Sequence, residues 1–369
     1  MTSRRRFLRG VGAALGAGLG ASLAGCGYRP GGGDIRWRES GNFAGFPTSA
    51  LDVTDGLVVT VADSTMSFDI DREEWTRGGQ ITAYSTEDGA ELWSDHLGGD
   101  LSCHAVGDGG AAVGFDGAIV RYGADGRWWQ FEAGDPLVAL AVAGEWAYGL
   151  TETGALVACS DGVERWRIDL DAERGGGDDR FDPILAADTE AVVCWVGGTV
   201  HCLDPSGRRR WRQPGIDAHR LSVVDGQIFA SSRGSLVALD GSSGESRRIG
   251  DGSITEFAVT ADAVYGVSDL DVVAYHRSGG RRWSTADDSD SSRNRPASDP
   301  TDYQGRVAAD SEGVYVDSSR GLTALDPADG SLRWRVGNRS LSAGPFLADS
   351  GVLVAADGQL VCHHREIGD

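Results

Sequence analysis

Lysine is absent from all 369 residues, so each of the 34 basic side chains is arginine. That excludes Schiff-base lysine chemistry and the phosphate-loop lysine of nucleotide-binding enzymes. Asparagine is nearly as scarce, with Asn42, Asn294 and Asn338 the whole supply, which leaves few amide ligands for a cation. Proline numbers only 10 against 55 glycines, a balance that suits tight turns and excludes collagen and Pro-rich spacers. Positive charge is short too: 55 acids leave a net charge of −21, and such a surface repels nucleic acid and anionic membranes. No apolar run is long enough for a membrane span. What is plentiful is apolar bulk, 40% hydrophobic residues and 11 tryptophans, enough for a large core and incompatible with global disorder. A chain of this length exceeds one ordinary core, so several domains or a repeat array is expected.

The N-terminus carries an address. Ser3-Arg4-Arg5-Arg6-Phe7-Leu8-Arg9 precedes a Gly/Ala/Leu run to Ser22, the pattern of a secretory signal. The segment resembles a twin-arginine export signal, with Arg4, Arg5, Phe7 and Leu8 in the motif positions and Arg9 in the usual lysine place. Leu23-Ala24-Gly25-Cys26 resembles a lipobox, which implies cleavage before Cys26 and its lipidation. The expected division is a signal peptide at 1–25, a flexible Gly/Pro tether at 26–34 and a folded body at 35–369, held on the extracellular face of the cytoplasmic membrane. Cleavage removes four arginines and no acid, making the mature chain still more acidic. An acidic, all-arginine exported chain resembles proteins of salt-loving archaea, where molar salt screens self-repulsion.

Behind the tether the sequence repeats. Ile81-Thr82-Ala83-Tyr84 and Trp93 recur as Leu322-Thr323-Ala324-Leu325-Asp326 and Trp334, with weaker copies ending at Trp129, Trp166, Trp211 and Trp283. Leu236-Val237-Ala238-Leu239-Asp240 ends on Ile249 instead of tryptophan, and Ile119-Val120-Arg121-Tyr122 lacks the small central residue. Each unit reads as four short strands separated by Gly/Asp turns, and units of this length bury both sheet faces by packing radially. The last unit, from Leu341 to His364, supplies three strands, and Ile35-Arg36-Trp37-Arg38 matches the missing Trp strand. The fold expected is all-β, an eight-bladed β-propeller of four-stranded antiparallel blades closed by the N-terminal strand, with seven blades the alternative.

The L-x-A-L-D-x-x-x-G-x-x-x-W repeat is similar to that of pyrroloquinoline-quinone-like propellers. That family holds quinoprotein dehydrogenases and the propeller lipoprotein of bacterial outer-membrane protein assembly. The dehydrogenase members imply pyrroloquinoline quinone with calcium, a carboxylate base and cationic contacts, and often a vicinal disulfide; this chain has no adjacent Cys pair, and no catalytic residue carries across.

Other chemistry is thin. Cys103-His104, His201-Cys202 and Cys362-His363 are neighbours that a strand points to opposite faces. Cys202 and Cys362 stand where other units have alanine and suit small buried packing. Cys194 and Cys202 flank Gly197-Gly198, so a cross-strand disulfide over a three-residue turn stays open. The acidic clusters Asp69–Glu74, Asp178-Asp179 and Asp287–Asp290 lack the spacing of a calcium loop. Ser64–Gly79, Asp169–Asp182, Arg212–His219 and Ser284–Asp302 read as long irregular insertions, all on connections that leave one face of the disc, and Asn338-Arg339-Ser340 is a glycosylation sequon on such a connection. The reading is a non-enzymatic binding or scaffolding lipoprotein that holds a protein partner or extracellular polymer on that face, with no cofactor; a quinone-dependent dehydrogenase is the alternative.

Overall fold

The computed structural model describes residues 31–40, 50–54, 56–69, 74–99, 101–170, 183–232, 234–286, 303–337 and 341–365. Among them the strands form eight four-stranded antiparallel sheets, each built from consecutive strands except the last. We number the blades 1 (50–97), 2 (101–132), 3 (137–169), 4 (184–214), 5 (218–251), 6 (254–284), 7 (303–336) and 8 (343–363). Blade 8 takes its outer strand from the other end of the chain: Ile35–Ser40 pairs with Gln359–His363, with Trp37 opposite Cys362. The ring therefore has eight blades and is closed by the N-terminal strand.

Two-residue periodicity explains why the blades stack. On the second strand of blade 4, Val192, Cys194 and Val196 pack toward blade 3, while Val193 and Trp195 pack toward blade 5. The same division gives eight buried apolar clusters, one between each pair of neighbouring blades.

The repeat motif is a device for joining blades. Its Asp caps the turn between third and fourth strands: Asp240 accepts from the Ser242 and Ser243 amides and hydroxyls, which draws its carboxyl down to about 2. Its Gly takes a positive φ and lies against the outer-strand Trp of the preceding blade. A Cβ on Gly207 would stand 2.7 Å from the Trp166 ring, on Gly244 2.7 Å from Trp211, and on Gly330 2.6 Å from Trp283. Each indole N–H then donates to the turn it covers: Trp37 to Thr86, Trp93 to Ala124, Trp166 to Pro205, Trp211 to Gly241, Trp283 to Pro327 and Trp334 to Arg365. Trp129 packs, partly buried, against the cluster between blades 2 and 3, and Ile249 fills the corresponding place in blade 5.

Gly330→Ala is expected to cost about 2–5 kcal/mol, since it adds left-handed strain at φ 77° to a collision with Trp283. Gly134→Ala, at φ 91° with nothing within 4 Å, should cost only about 1–2 kcal/mol. Denaturant midpoints compare the two; equal losses would mean that the tryptophan contact contributes nothing.

At the closure the same turn is assembled from both chain ends. Gly33 donates to the His364 carbonyl and His364 to that of Asp34, while His363 Nδ1 lies 2.7 Å from the Gly33 carbonyl. Gly33, at φ 87°, sits under the Trp334 ring as Gly330 sits under Trp283.

Three expectations change. Ser64–Gly79 is not irregular: the strands Leu57–Asp69 and Glu74–Ser85 continue as one long hairpin, paired from Thr65 with Gly78 to Asp69 with Glu74 beyond a bulge. A bulge resets the register, so the pairing resumes where the alternation in sequence is interrupted. Arg212–His219 is not an insertion either, because Arg209–Pro214 and Ala218–Val224 leave only residues 215–217 between them. Cys194 and Cys202 do not face one another. The turn has two residues, Gly197-Gly198, so Cys194 pairs with His201 and Cys202 with Val193, on opposite faces of the sheet. Both are free thiols, and burial pushes Cys194 up to about 12 and Cys202 up to about 11, which makes them inert.

Candidate functional site

Strand direction sorts the connections onto two faces. Turns between second and third strands, and passages from one blade to the next, leave one face; the other turns leave the opposite one. The hairpin of blade 1 extends from the first face; the stretches 171–182 and 287–302 fall in sequence between blades 3 and 4 and between blades 6 and 7. Those two stretches, the acidic clusters Asp178-Asp179 and Asp287–Asp290 and the sequon at Asn338 lie outside the described residues, as do Arg4, Arg5, Phe7, Leu8 and Cys26. We call this the hairpin face.

Among the described residues, four blades close their second-to-third turn on this face with two residues of positive φ: Asp116-Gly117, Gly197-Gly198, Asp357-Gly358 and, in blade 6, Asp269-Leu270. Such turns place glycine second because that position is left-handed at no steric cost. Leu270 holds it at φ 71° and is 50% exposed. A bulky apolar side chain is thus kept in water on strained backbone. Its carbonyl accepts from Tyr303, the first residue of blade 7, and the Thr285 hydroxyl bonds Asp271 on the next strand, so the tip is braced where blade 6 leads into the 287–302 stretch. Nothing in the repeat pattern singles Leu270 out; reading the turn as a glycine position does.

The second feature is the central channel, lined by the first strand of each blade. A cavity of about 260 Å³ lies in it, bounded by Asp52, Arg220, Glu256, Arg306, Phe346 and backbone of blades 6 to 8. Arg220 and Glu256 form an ion pair at 2.7 Å. Arg306 donates to the Leu51 carbonyl at 3.2 Å and lies 5.0 Å over the Phe346 ring. Asp52 accepts from the Val53 amide at 2.8 Å. It reaches the water of the channel while ringed by protein, and that desolvation raises its carboxyl above the usual range against the pull of the Val53 bond, Arg306, Arg220 and His104. These residues come from separate repeats at non-equivalent positions, so no sequence motif announces them.

The quinone and calcium that the family resemblance implies do not fit this lining. Glu256 is engaged by Arg220, no Asn or Gln side chain lines the cavity, and among the described residues no three His, Cys, Asp or Glu side chains are placed to hold a metal ion.

Residues 116–247 and 268–368 match the family model described as outer membrane protein assembly factor BamB. Among solved structures the chain is similar to BamB from Moraxella catarrhalis, at 18% identity and a TM-score of 0.57, over 89% of this chain and 97% of that one. It is also similar to the computationally designed Ika8 protein, at 15% identity and a TM-score of 0.65, over 90% and 100% of the two chains. Sqt1 from Saccharomyces cerevisiae follows at 11% identity and a TM-score of 0.59, over 91% and 99%. Likenesses at these identities concern the fold. Comparison with curated proteins finds no match.

Proposed function

From its membership of the family described as outer membrane protein assembly factor BamB, we propose that this chain is an exported, lipid-anchored scaffold whose hairpin face holds a protein partner, without catalysis of its own. The observation that carries the reading is Leu270. An apolar side chain kept half exposed in a turn that favours glycine forgoes much of the gain of burial, and strain of this kind is kept where a surface is used. The anchor is compatible with that use. The chain enters blade 8 at Ile35 on the face opposite the hairpin, so a lipid on Cys26 would leave the hairpin face directed away from the membrane.

Leu270→Gly separates the two roles. It should stabilise the protein by about 1 kcal/mol through relief of strain, and should weaken crosslinking to the partner in intact cells by about tenfold. Undiminished crosslinking in this variant would overturn the assignment of the face. Cys26→Ala should release the protein from membranes; retention of the variant there would rule out the lipid anchor and leave the partner reading to stand on Leu270.

A further inference from the structure

Asp52 and Arg306 line one cavity, carry opposite charges and make no ion pair with each other. Among the described residues Arg306 makes direct contact only with a backbone carbonyl and the Phe346 ring, and Asp52 hydrogen-bonds only the amide of its own neighbour, with Arg306, Arg220 and His104 acting on it from beyond ion-pair distance. The remaining two charges of the lining, Arg220 and Glu256, already neutralise each other. The site thus presents one cationic pole and one anionic pole, held apart on rigid strands of blades 7 and 1. A simple anion would be repelled by Asp52 and a simple cation by Arg306, and in a protein-walled channel that repulsion is poorly screened. At about 260 Å³ the space also falls just below the ~300–1,000 Å³ that drug-sized ligands occupy, so it suits a smaller molecule.

We propose that the central channel binds a small zwitterion of the α-amino acid class, its carboxylate on Arg306 and its ammonium on Asp52. Phe346, lying against the guanidinium, confines the arginine and offers the ligand's aliphatic part an apolar wall. The site is separate from Leu270 and stands whether or not the hairpin face holds a partner.

The test is calorimetric titration of the folded protein with L-alanine, N-acetyl-L-alanine and L-alaninamide. L-Alanine is expected to bind, and each one-ended analogue to bind at least about tenfold more weakly, as does L-alanine itself to Asp52→Asn and to Arg306→Gln. Thermal unfolding of Asp52→Asn without ligand should match the native protein, whereas Arg306→Gln, which loses the bond to Leu51 and the Phe346 contact, should melt somewhat lower yet stay folded at the titration temperature. Absence of L-alanine binding would overturn the proposal. So would equal binding of N-acetyl-L-alanine, which would mark a carboxylate site, or unchanged affinity in both variants.

Discussion

Deleting Ile35–Ser40 is expected to lower the stability of the whole ring by more than any single substitution, on the order of 5 kcal/mol or above. The strand's loss bares the edge of Gln359–His363 and takes Trp37 out of the cluster between blades 8 and 1, where it packs near Leu51, Val58, Phe346 and Leu360. It also cuts the indole bond to Thr86. Replacement of a fully buried tryptophan by alanine costs about 3–5 kcal/mol and Trp37 is only partly buried, so Trp37→Ala, which keeps the strand, should cost less than that and fall between the native protein and the deletion. Because the deletion replaces the charged outer edge Ile35–Ser40 by the apolar edge Gln359–His363, it should also promote association through the bared strand. Denaturant unfolding and light scattering in molar salt read both effects. An unchanged midpoint in the deletion would contradict closure by this strand.

Arg121→Ala is expected to destabilise the protein by about 3–5 kcal/mol, although it installs the residue that Ala83, Ala158, Ala238, Ala274 and Ala324 hold in other units. Arg121 is fully buried between blades 2 and 3. Its Nη1 donates to the carbonyls of Ala111 and Tyr122, and its Nη2 reaches the Gly144 carbonyl of the next blade at 2.8 Å. Trp128 lies against it with the ring centre 5.0 Å from the guanidinium carbon. Burial draws the guanidinium down to about 10, which still leaves it cationic at neutral pH, held by carbonyl dipoles rather than by a carboxylate. Glycines 109 and 110 make room for it: a Cβ on Gly110 would stand 2.9 Å from Nη1. Alanine would leave a cavity and strip a donor from the Gly144 carbonyl, which no small side chain restores. Conformity to the repeat would argue for a neutral or stabilising change, so an unchanged or raised denaturant midpoint would contradict the packing described for Arg121.

Features that recur in every blade were legible in the sequence; features particular to one blade were not. Eight blades and their closure follow from the spacing of apolar strands and Gly turns, because each unit solves the same packing problem. Arg121 breaks the pattern and was visible only as a missing alanine; its role depends on Gly109 and Gly110 and on a carbonyl in the next blade. The hairpin of blade 1 reads as irregular in sequence because its register resets between Ala62 and Thr65. A three-residue turn would set Cys194 opposite Cys202, and the two-residue turn present sends their side chains to opposite faces, a difference of one residue that composition does not decide. The channel pair Asp52 and Arg306 is hidden for a different reason. It joins residues more than two hundred positions apart that are neighbours only because the ring closes.

The most direct test of the proposed partner surface places a photo-crosslinking amino acid at Asp269, beside Leu270 on the hairpin face, and in a second protein at Asp161, in a turn of the opposite face. Both are irradiated in intact cells in molar salt. A discrete protein adduct from Asp269 that is absent from Asp161, and lost when Leu270→Gly is added, is the expected result. Adducts from Asp161 alone, or an Asp269 adduct indifferent to Leu270, would contradict the scaffold function assigned to this face.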